Sequence, residues 1–182
     1  PPDTFKYIVT VTDYIGCTGI DSVEVATLPI MPAPDLRCVS VLTNGNVTLS
    51  WMPPTGELQC FDAYLVYHSY NIGGPYAIID TLKDINTLDY THFGANVNAQ
   101  SGHYYIEILT GSNNTHSKSS DTLSSILINV VNNADITANL SWNPLHDPAP
   151  ATTSGYYFIY REYPPGNWKL IDSTKNLMYV DS

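Results

Sequence analysis

Apolar and polar positions alternate along this chain in short bursts separated by turn-forming residues. Residues 5–12, FKYIVTVT, alternate with period two and set Phe5, Tyr7, Val9 and Val11 on one face, the pattern of a half-buried strand. DYIGCTG then supplies turn residues, and IDSVEVATL alternates again through Ile20, Val23 and Val25, with an irregularity expected near Ser22. The two runs predict a hairpin. A lone hairpin is marginal in water, so this one reads as the closing edge of a domain whose earlier part precedes Pro1. PIMPAP follows; its prolines remove backbone donors and stiffen the chain, which predicts a linker.

Seven strand-like runs come next: LRCVSVL, NVTLSW, AYLVYHS, YAIIDTL, TLDYTH, HYYIEILT and a last one within HSKSSDTL, each bounded by Gly, Pro, Asn or Asp. Seven short strands without a helical pattern predict an all-β sandwich. Asn44-Gly45 between the first two is a strong hairpin signal, because both residues tolerate positive φ. In HYYIEILT, Tyr104, Ile106 and Ile108 point to the core, and Tyr105, Glu107 and Leu109 point away. SSILINV then opens a second series that continues through Trp142, YYFIY, WKLID and LMYVD.

The second series repeats the first. Leu49-Ser50-Trp51 returns as Leu140-Ser141-Trp142, 91 positions on; Tyr67 and Tyr160 are 93 apart and Asp80 and Asp172 are 92 apart. Such a period is that of a domain and not of a short solenoid repeat. The 182 residues therefore divide into three parts: residues 1–29, the final hairpin of a truncated domain; 30–123, one whole unit; and 124–182, a second unit without its closing strands. The chain starts without a signal peptide and stops inside a repeat, so it reads as an excerpt of a longer polypeptide.

Composition narrows the function. A hydrophobic content of 43% with 13% charged residues is an ordinary globular balance, and fourteen tyrosines favour strands. Seven basic against seventeen acidic side chains give a formal charge of −10, and no basic stripe is present to neutralise phosphates, which argues against nucleic acid and anionic membrane as partners. The longest apolar run, LSSILINVV, is too short and too interrupted to span a bilayer. Three cysteines leave at least one without an internal partner. Cys38 and Cys60 are a candidate disulfide at one pole of the sandwich, and a pair of small buried hydrophobes is the alternative.

The proline-flanked entry, the tryptophan that ends the second strand before MPP or NP, the Y-x-V-Y third strand and the late Y-x-I-x-I strand together resemble fibronectin type III domains. The resemblance covers residues 32–182 and implies tandem immunoglobulin-like sandwiches, with Trp51 and Trp142 in the core and Tyr104 at the tyrosine-corner position, its hydroxyl bonded to nearby backbone. Tyr7 to Thr18 and Asp21 to Val25 resemble instead the last hairpin of a PKD-like or bacterial immunoglobulin-like domain. That order of modules is similar to gliding motility-associated surface proteins exported by type IX secretion. It implies a non-catalytic extracellular or cell-surface role in spacing, adhesion and presentation, with other domains of the same chain and a surface glycan or protein as partners. Accessory or carbohydrate-binding modules of a secreted hydrolase are the alternative.

Few residues carry a chemical signature. His68, His92, His103, His116 and His146 have no ligand-spaced neighbours. His103 and Glu107 share a strand face, which reads as a solvated face before it reads as a metal site; His146-Asp147 reads as a turn. No nucleophile elbow or phosphate loop occurs, and the acidic turns lack the spacing of a calcium loop. No catalytic residue, metal or cofactor is therefore assigned. Tyr70, Tyr76, Tyr163 and Trp168, in or beside NIGGPY and YPPGNW, are candidate ligand-contact aromatics, weighed against a role in covering the side of the sandwich. Thr81, Thr122 and Ser173 each follow an Asp, a pattern similar to the O-glycosylation acceptor of bacteria carrying such surface proteins; common turn pairs are the competing reading.

Overall fold

The computed structural model describes residues 3–27, 31–55, 60–111, 115–133, 137–146 and 154–181. Every regular element among them is a strand. β1 (Asp3–Thr12) and β2 (Thr18–Thr27) form an antiparallel hairpin. Its turn is closed by Asp13, whose Oδ1 accepts the backbone N–H groups of Ile15 and Cys17, each at 2.9 Å. The register runs unbroken from Thr4 opposite Ala26 to Thr12 opposite Thr18. The irregularity expected at Ser22 is thus absent, and Ile20, opposite Thr10, shares the face of Ile8, while Phe5, Tyr7, Val9, Val11, Val23 and Val25 form the other. That apolar face is bare: Val9 is 72% exposed.

The first sandwich faces one three-stranded sheet against a larger one. The first has the order β3 (Asp35–Val41), β4 (Val47–Met52), β7 (Asp89–His92). The second has the order β10 (Leu123–Ser124), β8 (His103–Thr110), β5 (Phe61–Ser69), β6 (Ala77–Leu82), with β9 (Thr115–His116) also on β8. Alternation built this core. Val47, Leu49 and Trp51 from one sheet meet Tyr64, Val66, Tyr104, Ile106 and Ile108 from the other, all buried. Met31 and Leu123 close its ends. The loop at Asn44-Gly45 is longer than the two-residue turn its sequence signals: Leu42 N–H donates to Asn46 O, Gly45 N–H donates to Leu42 O, and only Gly45 has positive φ, +78°. This is the three-residue hairpin with a left-handed glycine.

The last strand of this unit departs from the expected continuous run within HSKSSDTL. Between β9 and β10 the buried positions are Ser117, Ser120 and Leu123, a period of three in place of two, which is the repeat of an extended polyproline-like segment. Ser117 N–H donates to Ile108 O while Ile108 N–H donates to Ser117 Oγ, at 2.8 and 2.9 Å; Ser120 and Ile106 exchange the same pair at 2.9 and 2.9 Å. Ser125 and Gly102 repeat it at 2.8 and 2.8 Å. Serine hydroxyls thus take the acceptor role that strand carbonyls have in a ladder, so the buried N–H groups of β8 stay paired. The pairing reaches Ser125, beyond the boundary at 123 expected from sequence.

Each of the five strands of the second unit reproduces a strand of the first. β11 (Ile128–Asn132), β12 (Ala138–Trp142) and β15 (Met178–Asp181) correspond to β3, β4 and β7; β13 (Tyr157–Glu162) and β14 (Trp168–Thr174) correspond to β5 and β6. The correspondence extends to a defect: the register shifts between Val66 and Tyr67 on β5 and between Ile159 and Tyr160 on β13. A bulge kept in both copies is a property of the fold. The Trp51–Tyr64 rings meet edge-on at 5.4 Å and 69°, and the Trp142–Tyr157 rings at 5.5 Å and 60°. The chain is all-β, and its two repeats share one immunoglobulin-like two-sheet arrangement of strands.

Candidate functional site

The two equivalent aromatic loops differ in how firmly they hold their rings. In the first unit Tyr70 donates its hydroxyl to Ala95 O at 2.8 Å and lies edge-on to His68, and Tyr76 donates to Ile72 O at 3.0 Å with its ring 4.9 Å from Tyr105. Tyr105 in turn stacks on Tyr67 at 4.5 Å, and burial, then Glu107, pushes the Tyr67 phenol up to about 12. These side chains cover the sandwich. In the second unit Tyr163 is 74% and Trp168 64% exposed. The register places Trp168 opposite Glu162 and Leu170 opposite Tyr160 on one face of β13–β14, continuous with Phe158 and all exposed. A flat aromatic surface of this kind can stack on an apolar ring face.

Histidines gather at one pole of the first unit without forming a metal site. His92 Nδ1 lies 3.0 Å from the Tyr104 hydroxyl, and the His68 ring is 4.9 Å from His92 and 4.8 Å from Tyr104. Tyr104 therefore bonds a side chain where the tyrosine corner implied a backbone partner. His68 Nε2 is buried without a protein partner. Burial, then the neighbouring imidazoles of His92 and His103, lowers His68 to about 4; burial also lowers His92 and His103. His103 and Glu107 part company: His103 Nδ1 meets Ser124 Oγ at 2.7 Å, whereas Glu107 Oε2 pairs with His116 Nδ1 at 2.9 Å. Among the described residues no three His, Cys, Asp or Glu side chains converge as metal ligands. Asp147 lies outside the described residues.

Cys38 and Cys60 are free thiols and not a disulfide. Cys38 is exposed on β3, at the irregularity between Leu36 and Cys38, and Cys60 precedes β5 and accepts Gly111 N–H through its carbonyl. Thr81 and Ser173 are exposed at equivalent places on β6 and β14, and each donates its N–H to the preceding aspartate, Asp80 or Asp172, at 2.7 Å. Ser22 repeats the arrangement with Asp21 at 2.8 Å. Thr122 is half-buried.

Sequence reasoning missed Asn143, which joins the two sandwiches. Its Nδ2 donates to Ser125 O at 3.0 Å and to Ser101 Oγ at 3.3 Å, while its Oδ1 accepts Leu127 N–H at 2.7 Å. Ser124 N–H donates to Leu145 O at 2.7 Å, and Leu145 packs against the first core. The available signal was the replacement of Met52 by a polar residue at the equivalent place after the second tryptophan.

The second unit also holds an open cleft of about 390 Å³, lined by Ile128, Leu140, Trp142, Tyr157 and Ile159 among others. These residues correspond to the filled core of the first unit.

No protein-family model matches the chain, and no curated protein matches it. Among solved structures it is similar to the chicken CNTN1 FN1–FN3 domains, at 12% identity and TM-score 0.43, over 97% of this chain and 65% of that one. It is similar to the central fibronectin-III array of RIM-binding protein at 17% and 0.41, over 82% and 56%. Pectate lyase PelI from Erwinia chrysanthemi matches at 15% and 0.40, over 50% and 27%. The chain thus spans less than two thirds of each. The fold assignment rests on the strand order and repeated register described above.

Proposed function

We propose that this chain is a non-catalytic spacer and presentation segment of an exported surface protein. In this reading β1–β2 ends a PKD-like domain, residues 30–123 and 124–182 are consecutive fibronectin type III-like units, and the parent is of the gliding motility-associated type. The observation that carries it is the Asn143 clasp. Asn143 and Leu145 tie the second unit to Ser101 of the first and to Ser124 and Ser125 at the junction between them, which supports a short, held connection between the two sandwiches, as a spacer requires. Thr81, Thr122 and Ser173 would carry glycans on export; intact-mass spectrometry of the secreted protein tests this, and unmodified mass at all three positions opposes it.

The exposed Tyr163 and Trp168 favour a second reading, a carbohydrate-binding module within a secreted hydrolase. Stacking on sugar would make Trp168→Ala abolish retention on insoluble polysaccharide while leaving the unfolding midpoint unchanged. Retention by neither the parent chain nor the variant would remove this reading and leave the first untouched.

A further inference from the structure

On the basis of the Asn143 clasp in the spacer reading above, we propose that acid releases the junction between the two sandwiches, with His68 as the sensor and the Ser101-Gly102 backbone as the latch. Gly102 stands between the two. On one side, a Cβ added there would lie 3.1 Å from His68 Nε2 and 3.1 Å from the Tyr104 hydroxyl, so bare glycine backbone packs against both groups. That packing helps to seal Nε2, which is buried and has no hydrogen-bond partner. On the other side, Gly102 N–H donates to Ser125 Oγ and Gly102 O accepts Ser125 N–H, both at 2.8 Å. Ser125 O in turn accepts the Ser101 hydroxyl at 2.7 Å and Asn143 Nδ2 at 3.0 Å. The backbone that keeps water from His68 is therefore tied to Asn143. A second histidine reaches the junction by its own route: His103 Nδ1 meets Ser124 Oγ at 2.7 Å, and Ser124 N–H donates to Leu145 O at 2.7 Å.

The surroundings of His68 resist a proton. Its ring lies 4.9 Å from the His92 ring of β7 and 4.5 Å, edge-on, from Tyr70 in the loop after β5. β8 contributes Tyr104, at 4.8 Å, and His103. β6 contributes the uncharged Ala77 opposite His68, and the junction contributes Ser124, Ser125, Asn143 and Leu145, uncharged as well. A proton on His68 thus meets only the imidazoles of His92 and His103, which repel it when charged, and no carboxylate among the described residues acts on it. A buried imidazolium without a counter-charge is relieved when water reaches it. Movement of Ser101-Gly102 away from the ring admits that water, and the same movement draws Ser101 and Ser125 from Asn143.

The sign and size of the response follow from linkage. While the junction is closed, burial and then the neighbouring imidazoles hold His68 at about 4; once hydrated, an imidazole titrates near its ordinary value of about 6.5. Opening therefore takes up a proton below about pH 6.5 and none above it. Relative to pH 7.5, the open junction gains about 30-fold in population ratio at pH 5.

The test is amide nitrogen relaxation, measured by NMR on the 182-residue chain at pH 7.5 and pH 5, with reductant present because Cys17 and Cys38 are exposed. At pH 7.5 the amides of the two sandwiches should report one rotational correlation time. At pH 5 they should report two shorter ones, while Val47, Leu49 and Ile106 keep their dispersed shifts and so show the first core intact. His68→Leu should keep the single correlation time at pH 5, and so should His68→Gln, which retains a polar side chain without the charge. His146→Gln, beside Leu145, should uncouple in acid as the parent does. One correlation time for the parent at both pH values would overturn acid release and leave the clasp standing; two at pH 7.5 would remove the clasp and the proposal together. Loss of the core shifts in the same step as uncoupling would also overturn it, as would an acid response that both His68 variants retain.

Discussion

Trp142 lies edge-on to Tyr157 in the second sandwich as Trp51 does to Tyr64 in the first, within 0.1 Å in separation and 9° in tilt. Both indole N–H groups are buried without a protein acceptor, so these rings act through area and shape. Their surroundings differ, because Trp51 is 2% exposed inside a closed core and Trp142 borders the open cleft.

That difference sets the first expectation. Trp51→Ala should cost about 3–5 kcal/mol, as truncation of a large core aromatic does. Trp142→Ala should cost about 2 kcal/mol or less, because part of its environment is already solvent. Urea unfolding followed by far-ultraviolet circular dichroism would show the contrast; equal losses would contradict it.

The buried histidine pole makes the first unit sensitive to acid. His68 is lowered to about 4 by burial and by its neighbours His92 and His103, while an unfolded imidazole titrates near its ordinary value of about 6.5. Below 6.5 the unfolded chain therefore binds the proton that the fold refuses. Stability contributed by neutral His68 is complete above about pH 6.5 and is lost as pH falls toward 4, by up to about 3 kcal/mol. His92 and His103 act in the same direction. Chemical unfolding at pH 7.5 and 4.5 should show the loss, and His68→Leu should flatten it; an unchanged midpoint would contradict the assignment.

Ser120 offers a sharper probe of the serine-bonded segment. Ser120→Ala removes the acceptor of the buried Ile106 N–H and should cost about 1–3 kcal/mol, the penalty for a buried donor left unpaired. Ser119→Ala, at an exposed neighbour, should change stability by less than about 0.5 kcal/mol. Equal effects would mean that the period-three pairing does not support β8.

Strand order and core were legible because period-two alternation survives in NVTLSW and HYYIEILT, where each alternate residue is buried. The segment HSKSSDTL, His116 to Leu123, reads as an ordinary strand by an apolar–polar scan, because its information lies in the hydroxyls of Ser117 and Ser120 at a period of three. Cys38 and Cys60 are free because the register irregularity beside Cys38, which has no signature in the sequence, leaves that side chain exposed. Asn143 was invisible for a different reason: its partners include Ser101, Ser125 and Leu127, and a contact across a domain junction leaves no periodic trace. The aromatic loops were found by repetition, yet sequence gave no hint that the first is tethered and the second bare.

The fixed junction is the central claim, and small-angle X-ray scattering on the parent chain, compared with the chain carrying Asn143→Ala, tests it most directly. The account predicts one well-defined maximum dimension for the first, and a broadened, salt-insensitive distribution of dimensions once Asn143 is truncated, with both sandwiches still folded by circular dichroism. Indistinguishable profiles, each requiring a spread of orientations between the sandwiches, would contradict it.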